Sequence, residues 1–421
     1  MQASSHRRQP IHVVYGGAHL FKADTAARLG ATALRTLDEY APDAAALAAA
    51  LGLAPASAAR VHARVIEKLR REPVEDFRLD FEDGYGNRPD AEEDGHAESA
   101  AVEVATAHAH GSLPAFIGIR IKNLGDELRE RALRTAHLFI ERLLKETGGQ
   151  LPSNFVVTLP KITARSQVSA LAQTFGRIEA SHHLAPGALR MELMIETPYS
   201  IFDERGAVSL PALVAEGHGR VTAAHFGTYD YTASLGITAA HQHMRHPVCD
   251  FARGVMQVAL AGTDVWLSDG ATNIMPVPVH RAAPGQSLIA PQIEENRQAV
   301  HRAWRLHYND IRHSLTNAFY QGWDLHPAQL VTRYAAVYAF FLESLDPASE
   351  RLRNFIAKAA QATLVGEVFD DAATGQGLLN FFLRALNCGA VREDEIGALT
   401  GLTLEELRSG SFVTIVKGRR A

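Results

Sequence analysis

Charged side chains follow a series of short apolar runs along this 421-residue chain. In chain order they are Asp80, Glu82, Asp83, Arg120, Lys161, Glu196, Asp230, Asp269 and His326. One charged group at the end of an apolar run is ordinary. Acids or bases at seven successive run ends are hard to explain by solubility alone. We therefore predict that they converge on one site, where carboxylates bind a hard cation and cationic groups bind an anion.

Glu196 and Asp230 are the strongest candidates for metal ligands. Mg²⁺ requires oxygen ligands, keeps several waters and is usually held by one or two carboxylates plus substrate oxygens; Mn²⁺ accepts the same donors. The alternative is that both acids cap helices or pair with surface lysines. Their positions directly after apolar runs favour the metal. The nearby His241, His243 and His246 suit it less, because Mg²⁺ prefers oxygen and the spacing does not place all three on one helix face.

Arg120 interrupts the apolar run Ile-Gly-Ile-Arg-Ile. A guanidinium in such a run needs an anionic partner, because a buried unpaired charge is very costly. The partner is either a substrate carboxylate or developing enolate oxygen, held by two hydrogen bonds, or the cluster of Asp80, Glu82 and Asp83. Arg120 contacts both partners if the acids orient the arginine or the water molecules around a metal.

Eight short apolar runs alternate with helical patterns, so we predict parallel strands buried on both faces. The predicted strands are Ile11 to Tyr15, Phe77 to Phe81, Ala115 to Ile121, Phe155 to Leu159, Arg190 to Ile195, Val221 to Phe226, Asp264 to Leu267 and Trp323 to Leu325. Eight strand–helix units predict an α/β fold of the TIM (β/α)₈ barrel type, with the active site at the carboxyl ends of the strands. An open doubly wound sheet is the alternative, but no GxGxxG follows the first strand.

Two regions exceed the barrel repeat. We predict a barrel over residues 1–345 with a helical insertion near the N-terminus at about 31–72, and a helical C-terminal extension over 346–421. The extension is interpreted as a lid or a subunit contact. Its apolar stripe, which nothing in its own segment covers, predicts a homo-oligomer. The stripe consists of Leu378, Phe381, Phe382 and Leu386.

Composition excludes several classes of protein. The formal charge is −5, so no basic excess indicates nucleic acid. No apolar run approaches the roughly 20 residues that span a bilayer. The two cysteines, Cys249 and Cys388, form neither a disulfide framework nor a CxxC metal motif. These features favour a cytoplasmic enzyme without a membrane or nucleic-acid partner.

An ordered series of motifs resembles the HpcH/HpaI aldolase and citrate lyase β-subunit family. The motifs are Leu79-Asp-Phe-Glu-Asp83, Ile119-Arg-Ile121, Leu159-Pro-Lys161, Met194-Ile-Glu-Thr197, Phe226-Gly-Thr-Tyr-Asp230 with Leu235-Gly236, and His326-Pro-Ala-Gln329. The resemblance implies that Glu196 and Asp230 bind Mg²⁺, that Arg120 contacts the substrate and that the strand-two acids support the metal's water shell. It also implies a homotrimer or a multiple of it.

The function expected from these features is Mg²⁺-dependent carbon–carbon bond cleavage or formation through an enolate. The substrate would be a small hydroxy or oxo acid, free or as a CoA thioester, which Thr197 would also contact. The general base stays open between a metal-bound water, an acid of the strand-two cluster, and Asp269 of a neighbouring subunit. One rival is a Schiff-base aldolase using Lys161. The other is a barrel that binds a metabolite without turning it over.

Overall fold

The computed structural model describes residues 8–364 and 372–419 and contains one closed barrel of eight parallel strands. Each strand pairs with the next in chain order, and the last pairs with the first. The strands are β1 (His12–Gly17), β2 (Asp76–Asp80), β3 (Phe116–Arg120), β4 (Phe155–Leu159), β5 (Arg190–Ile195), β6 (Val221–Phe226), β7 (Trp266–Ala271) and β8 (Gln321–Asp324). The predicted barrel class is confirmed.

The predicted strand bounds agree with the structure where the buried residues of a strand are mostly apolar. The predicted bounds of β4, β5 and β6 match the structure residue for residue, because apolar side chains fill nearly all of these strands. β7 begins and ends later than predicted, since its polar Ser268-Asp269-Gly270 run is buried. Polar residues can continue a strand where buried partners satisfy them, which a hydrophobicity pattern does not reveal.

Helices surround the barrel and connect its strands. They are α1 (Thr25–Tyr40), α2 (Ala44–Leu51), α3 (Pro55–Arg71), α4 (Asp90–Ala109), α5 (Arg129–Glu146), α6 (Arg165–Ser181), α7 (Pro198–Ile201), α8 (Leu210–Glu216), α9 (Thr228–Ser234), α10 (Pro247–Leu260), α11 (Ala290–Thr316) and α12 (Gln329–Glu343). Three helices, α1 to α3, stand between β1 and β2 where one would suffice. Within the described residues no single helix is long and apolar enough to cross a membrane, although α2 and α3 together, bent by 110°, pass that test of length and composition.

The extension continues with α13 (Leu345–Leu364), α14 (Ala372–Asn387), α15 (Ile396–Thr400), α16 (Leu404–Arg408) and α17 (Phe412–Gly418). It packs against the end of the barrel where the strands begin. Arg384 of α14 donates to Gln9, just before β1, and Arg64 of α3 donates to the carbonyl of Gly389. Because the site is expected at the opposite end, the interpretation of the extension as a lid over its own chain's site is wrong.

The apolar stripe of α14 is covered inside the chain. Phe382 is fully buried, and the ring of Phe381 packs 5.4 Å from that of Phe341 in α12. Leu378 and Leu386 also pack against the core. The prediction of an uncovered stripe is therefore wrong, because Phe341 of α12 and the neighbouring helices α13, α16 and α17 pack against α14. The homo-oligomer itself stays a prediction, which light scattering at micromolar concentration tests.

Candidate active site

Asp80, at the end of β2, organises one side of the barrel mouth. Its carboxylate accepts hydrogen bonds from Arg120 Nε at 2.7 Å and Nη2 at 2.6 Å. It also accepts the backbone N–H groups of Glu82 and Gly84, at 3.0 and 2.7 Å. A Cβ atom at residue 84 would lie 2.6 Å from Asp80 Oδ2, so this close turn requires glycine. Asp80 thus holds both the arginine and the turn that carries Glu82 and Asp83.

Arg120 keeps one nitrogen available to a ligand. The side chain is buried, and Nη1 has no hydrogen-bond partner, lying 3.3 Å from Glu82 Oε2 and 3.6 Å from Asp83 Oδ2. The acids named from the sequence as its alternative partners do contact it. Asp80 occupies the Nε–Nη2 edge, whereas Glu82 and Asp83 lie within ion-pair range of Nη1 without a hydrogen bond to it. Nη1 is therefore a buried donor whose hydrogen bond an oxygen atom of a ligand would supply.

Two aromatic side chains that the sequence analysis missed enclose this guanidinium. Arg120 Cζ lies 4.9 Å from the centre of the Tyr15 ring and 5.4 Å from that of Trp323, and the two rings are 4.3 Å apart. Trp323 Nε1 is a second buried donor without a hydrogen-bond partner. Both residues lie on the inward faces of β1 and β8. An inward aromatic residue one or two positions before a strand end was the signal that could have found them.

Lys161 brings the acids of the mouth together. Its ammonium forms ion pairs with Glu82, with Asp83 at 3.0 Å and with Asp230 at 3.4 Å. Burial alone would lower the pKa of Lys161, but the carboxylates of Glu196, Glu82 and Asp83 raise it above its ordinary value. A Schiff-base lysine must lose its proton before it attacks a carbonyl. This environment favours an ion-pairing ammonium and disfavours the Lys161 rival.

The backbone at Lys161 is strained in a way that serves Glu196. Its φ is 49°, in the left-handed region that non-glycine residues rarely adopt. In this conformation the Lys161 N–H donates to Glu196 Oε1 at 2.8 Å. Opposite, a Cβ atom at residue 227 would lie 2.6 Å from Glu196 Cβ, so Gly227 leaves the space that this side chain fills. The site has accepted strain where it orients a carboxylate.

Glu196 and Asp230 suit a hard divalent cation. Glu196 is 2% exposed after β5, whereas the Asp230 side chain, in the first turn of α9, is 43% exposed. Burial and then the Asp230 carboxylate raise the pKa of Glu196 to about 7. A buried carboxyl group whose ionisation is disfavoured in this way is stabilised in its charged form when a cation binds beside it.

The wider mouth has the charge that such a cation requires. Five acidic side chains, Asp80, Glu82, Asp83, Glu196 and Asp230, lie around two cationic side chains, Arg120 and Lys161, so that acids outnumber bases by three. Among the described residues no three His, Cys, Asp or Glu side chains form a ready-made metal cage. Two protein carboxylates with open positions are the usual arrangement for Mg²⁺ rather than for a structural zinc ion.

Asp269 does not belong to this group, and the expectation that it faces the mouth is wrong. Its buried carboxylate accepts from Arg253 Nη1 of α10 at 2.9 Å and from Ser314 Oγ of α11 at 2.6 Å. Successive strand residues point to opposite faces. Asp269 therefore points outward into the helix layer, where its charge is already paired.

The hydroxyl group of Thr197 also forms its hydrogen bonds within the protein. Its hydroxyl donates to the carbonyl of Ile162 and accepts the N–H of Ser200 at 3.1 Å, which caps α7. The expected substrate contact is not supported by these bonds. Gln329 of the His-Pro-x-Gln motif is likewise structural: Oε1 accepts the N–H of Leu325 at 2.7 Å, and Nε2 donates to the carbonyl of Thr272 at 2.9 Å. Both side chains therefore hold backbone groups in the loops that follow the barrel strands.

A charged layer that the sequence analysis missed lies deeper in the barrel. Arg78 donates to Glu192 at 2.7 Å, to Asp76 at 3.1 Å and to Thr158 at 3.2 Å. His225 Nε2 lies 3.4 Å from Glu192. Arg78 and Glu192 are charged residues inside predicted strands, as Arg120 is, and could have been identified from the sequence in the same way. Because these charges are mutually paired, the layer supports the mouth without offering an open ligand site.

A family comparison matches residues 3–415 to a domain of unknown function, DUF6986. The chain belongs to the DUF6986 family. No curated protein sequence matches this family member significantly.

Solved structures share the barrel. A citrate lyase from Burkholderia xenovorans LB400 is 17% identical, with a TM-score of 0.55 over 91% of this chain and 96% of the other. A Haloferax volcanii malate synthase is 14% identical, with a TM-score of 0.48 over 96% and 97%. An HpcH/HpaI aldolase/citrate lyase family protein from Burkholderia cenocepacia J2315 is 14% identical, with a TM-score of 0.36 over 62% and 80%. The citrate lyase structure, whose TM-score exceeds 0.5, confirms for the fold the resemblance seen in the sequence.

Proposed function

We propose that this DUF6986 member is a metal-dependent carbon–carbon lyase or aldolase. Its substrate would be a small hydroxy or oxo acid, free or as a CoA thioester, and its metal Mg²⁺, with Mn²⁺ as a substitute. One observation carries the proposal: the buried carboxyl group of Glu196 and the partly exposed one of Asp230 share a mouth with Arg120, whose Nη1 has no hydrogen-bond partner. The site therefore offers a place for a cation beside a donor for an anionic oxygen.

The unpaired donors would bind and orient the substrate. Arg120 Nη1 and Trp323 Nε1 would each donate to an oxygen of its carboxylate or carbonyl group, so that both buried donors gain a partner. The ring of Tyr15 packs against the guanidinium group of Arg120. Asp80 would keep the arginine charged and fixed, so that little reorganisation is needed when negative charge develops.

The bond change itself is simple to balance. In the cleavage direction a base takes the proton of the substrate hydroxyl, the adjacent carbon–carbon bond breaks, and its electron pair moves to the carbon beside the carboxyl or thioester group. Arg120 would stabilise the resulting enolate oxygen. A divalent cation held by Glu196 and Asp230 would supply Lewis acidity toward the substrate oxygens. With Asp80 occupied and Asp269 facing outward, Glu82 and Asp83 remain as the candidate bases on this chain.

Chelation and trapping test the proposal. Turnover of a panel of oxo acids with acetyl-CoA, and of the corresponding hydroxy acids and CoA esters, should vanish in EDTA and return with Mg²⁺ or Mn²⁺. Borohydride should trap no adduct. Full activity in EDTA together with borohydride-trapped Lys161 would assign the Schiff-base class instead. Metal binding without turnover of any panel member would assign a non-catalytic binder.

A further inference from the structure

A large cavity lies at the end of the barrel opposite the candidate active site. Its volume is about 990 Å³, and the first residues of β7, the residues before β1 and β8, the end of α3 and the extension line it. Small-molecule sites typically measure roughly 300–1,000 Å³. The cavity therefore has room for a metabolite, and the extension forms one of its walls.

The charges that line this cavity are not balanced. Seven lysine and arginine side chains contribute to its wall. Six of them form an ion pair with a carboxylate. Arg384, on α14, is the exception: within residues 8–364 and 372–419 no carboxylate pairs with it. The cavity thus contains one guanidinium without a counterion.

Arg384 is half-buried, and its guanidinium donates one hydrogen bond to the part of the protein that the structure describes. Nη1 donates to Gln9 Oε1 at 2.8 Å, and the guanidinium lies over the ring of Tyr320 at 4.6 Å. A guanidinium carries five N–H donors. Burial lowers the pKa of Arg384, as expected for a desolvated cation that lacks an acid. Nearby, Arg8 Nε is buried without a hydrogen-bond partner and lines the same cavity.

We propose that this cavity binds a small organic anion whose carboxylate or phosphate group pairs with Arg384. Arg384 is half-buried without a carboxylate partner among the described residues, and its forked guanidinium suits both groups through two parallel hydrogen bonds. The cavity is separated from the mouth by the charged layer of Arg78. The anion would therefore occupy a second site, distinct from the substrate's.

Calorimetric titration tests the site with two probes, sodium succinate and sodium phosphate, at constant ionic strength in EDTA. Arg384→Gln removes the charge and keeps a polar side chain. Arg392→Gln is the matched control, because Arg392 lines the same cavity but is paired with Asp394. We expect saturable binding of at least one probe, weakened tenfold or more by Arg384→Gln and less than threefold by the control. The probe that binds identifies the carboxylate or phosphate source.

Melting temperature distinguishes a ligand-binding role from a structural one. Without anion, Arg384→Gln should melt at or above the wild-type temperature, because an uncompensated charge has been removed. Saturating anion should then raise the melting temperature of the wild type and not of the variant. Binding of neither probe, or binding unchanged by Arg384→Gln, would overturn the proposal. An equal loss of melting temperature with and without anion would make Arg384 a structural anchor for Gln9.

Discussion

The two ends of the barrel handle charge in opposite ways. At the carboxyl ends of the strands, carboxylates outnumber cationic side chains, and Lys161 adopts a strained backbone to orient Glu196. At the other end, cationic side chains line a cavity and Arg384 has no acid among the described residues. In TIM barrels the first end carries function and the second carries stability. Here the extension also forms one wall of a cavity at the second end.

Three arginines, Arg78 and Arg120 in the barrel and Arg384 in the extension, differ in how their charges are paired. Arg78, between the two ends, bonds to Glu192 and Asp76 and leaves no open site. Arg120 keeps a buried donor without a hydrogen-bond partner, and the half-buried Arg384 has no carboxylate partner among the described residues. A buried charge with all its partners stabilises or specifies the fold, whereas one with unused donors indicates a place for a ligand. Substitutions at either end of the barrel test this difference.

The largest effect is expected at the metal pair. Asp230→Asn leaves a divalent cation with a single protein carboxylate, so metal affinity and turnover should fall together. Lewis-acid stabilisation is worth several kcal/mol, so kcat/KM should fall by about 1,000-fold. Metal titration by calorimetry and steady-state kinetics measure the two quantities. Asp126→Asn, an exposed carboxylate on the loop after β3, is the matched control.

The fold should survive Asp230→Asn, because the Asp230 side chain is 43% exposed. Circular dichroism and melting temperature provide that check. Unchanged metal affinity in a folded Asp230→Asn protein would remove Asp230 from the ligand set. Loss of turnover with full metal affinity would instead make it a substrate contact.

Arg120→Lys should be nearly as damaging as Arg120→Ala. Lysine keeps the charge but cannot hold Asp80 with two donors and direct a third at the substrate. Loss of one such donor typically lowers kcat by roughly 100- to 1,000-fold. Arg131→Lys, at an arginine paired with Asp94, should leave kcat/KM unchanged. Near-full activity of Arg120→Lys would reduce Arg120 to a point charge.

At the other end, Glu75→Gln should cost stability rather than catalysis. Glu75 is fully buried and pairs with Lys68 at 2.6 Å and Arg8 at 3.0 Å. Removing one partner of a buried pair costs about 3–5 kcal/mol, which denaturant unfolding at pH 7 measures. The folded fraction should keep wild-type kcat. Glu67→Gln, at an exposed acid of the same end, is the control and should change stability little.

Acid unfolding gives a smaller, graded version of the same test. Burial alone would raise the pKa of Glu75, but Lys68 and Arg8 lower it to about 2, below its ordinary 4.5. A lowered pKa contributes stability above the unfolded value, and that contribution is lost as pH falls through the folded value. The wild type should therefore lose stability more steeply than Glu75→Gln between about pH 5 and 2. If the free energies of unfolding of the two proteins fell equally with pH over this range, the pKa of Glu75 would not be lowered in the folded protein.

The sequence by itself was sufficient for the barrel and for the grouping at its mouth. Apolar runs identified the strands, and parallel strands necessarily bring their carboxyl ends to one side. Asp80, Glu82, Asp83, Arg120, Lys161, Glu196 and Asp230 therefore had to lie near one another, and they do. Their function as metal and substrate ligands remains the proposal under test.

Only the tertiary structure decided which way individual side chains point and what covers them. Asp269 follows an apolar run as the others do, yet a one-residue difference in strand parity turns it outward to Arg253. Phe381 appears uncovered in its own segment, yet Phe341, 40 positions earlier in the chain, packs against it. Arg384 resembles any other arginine of an amphipathic helix until the fold encloses it without an acid. Periodicity is a local property, whereas partners come from distant segments, so pairing and burial are settled only when the chain is packed.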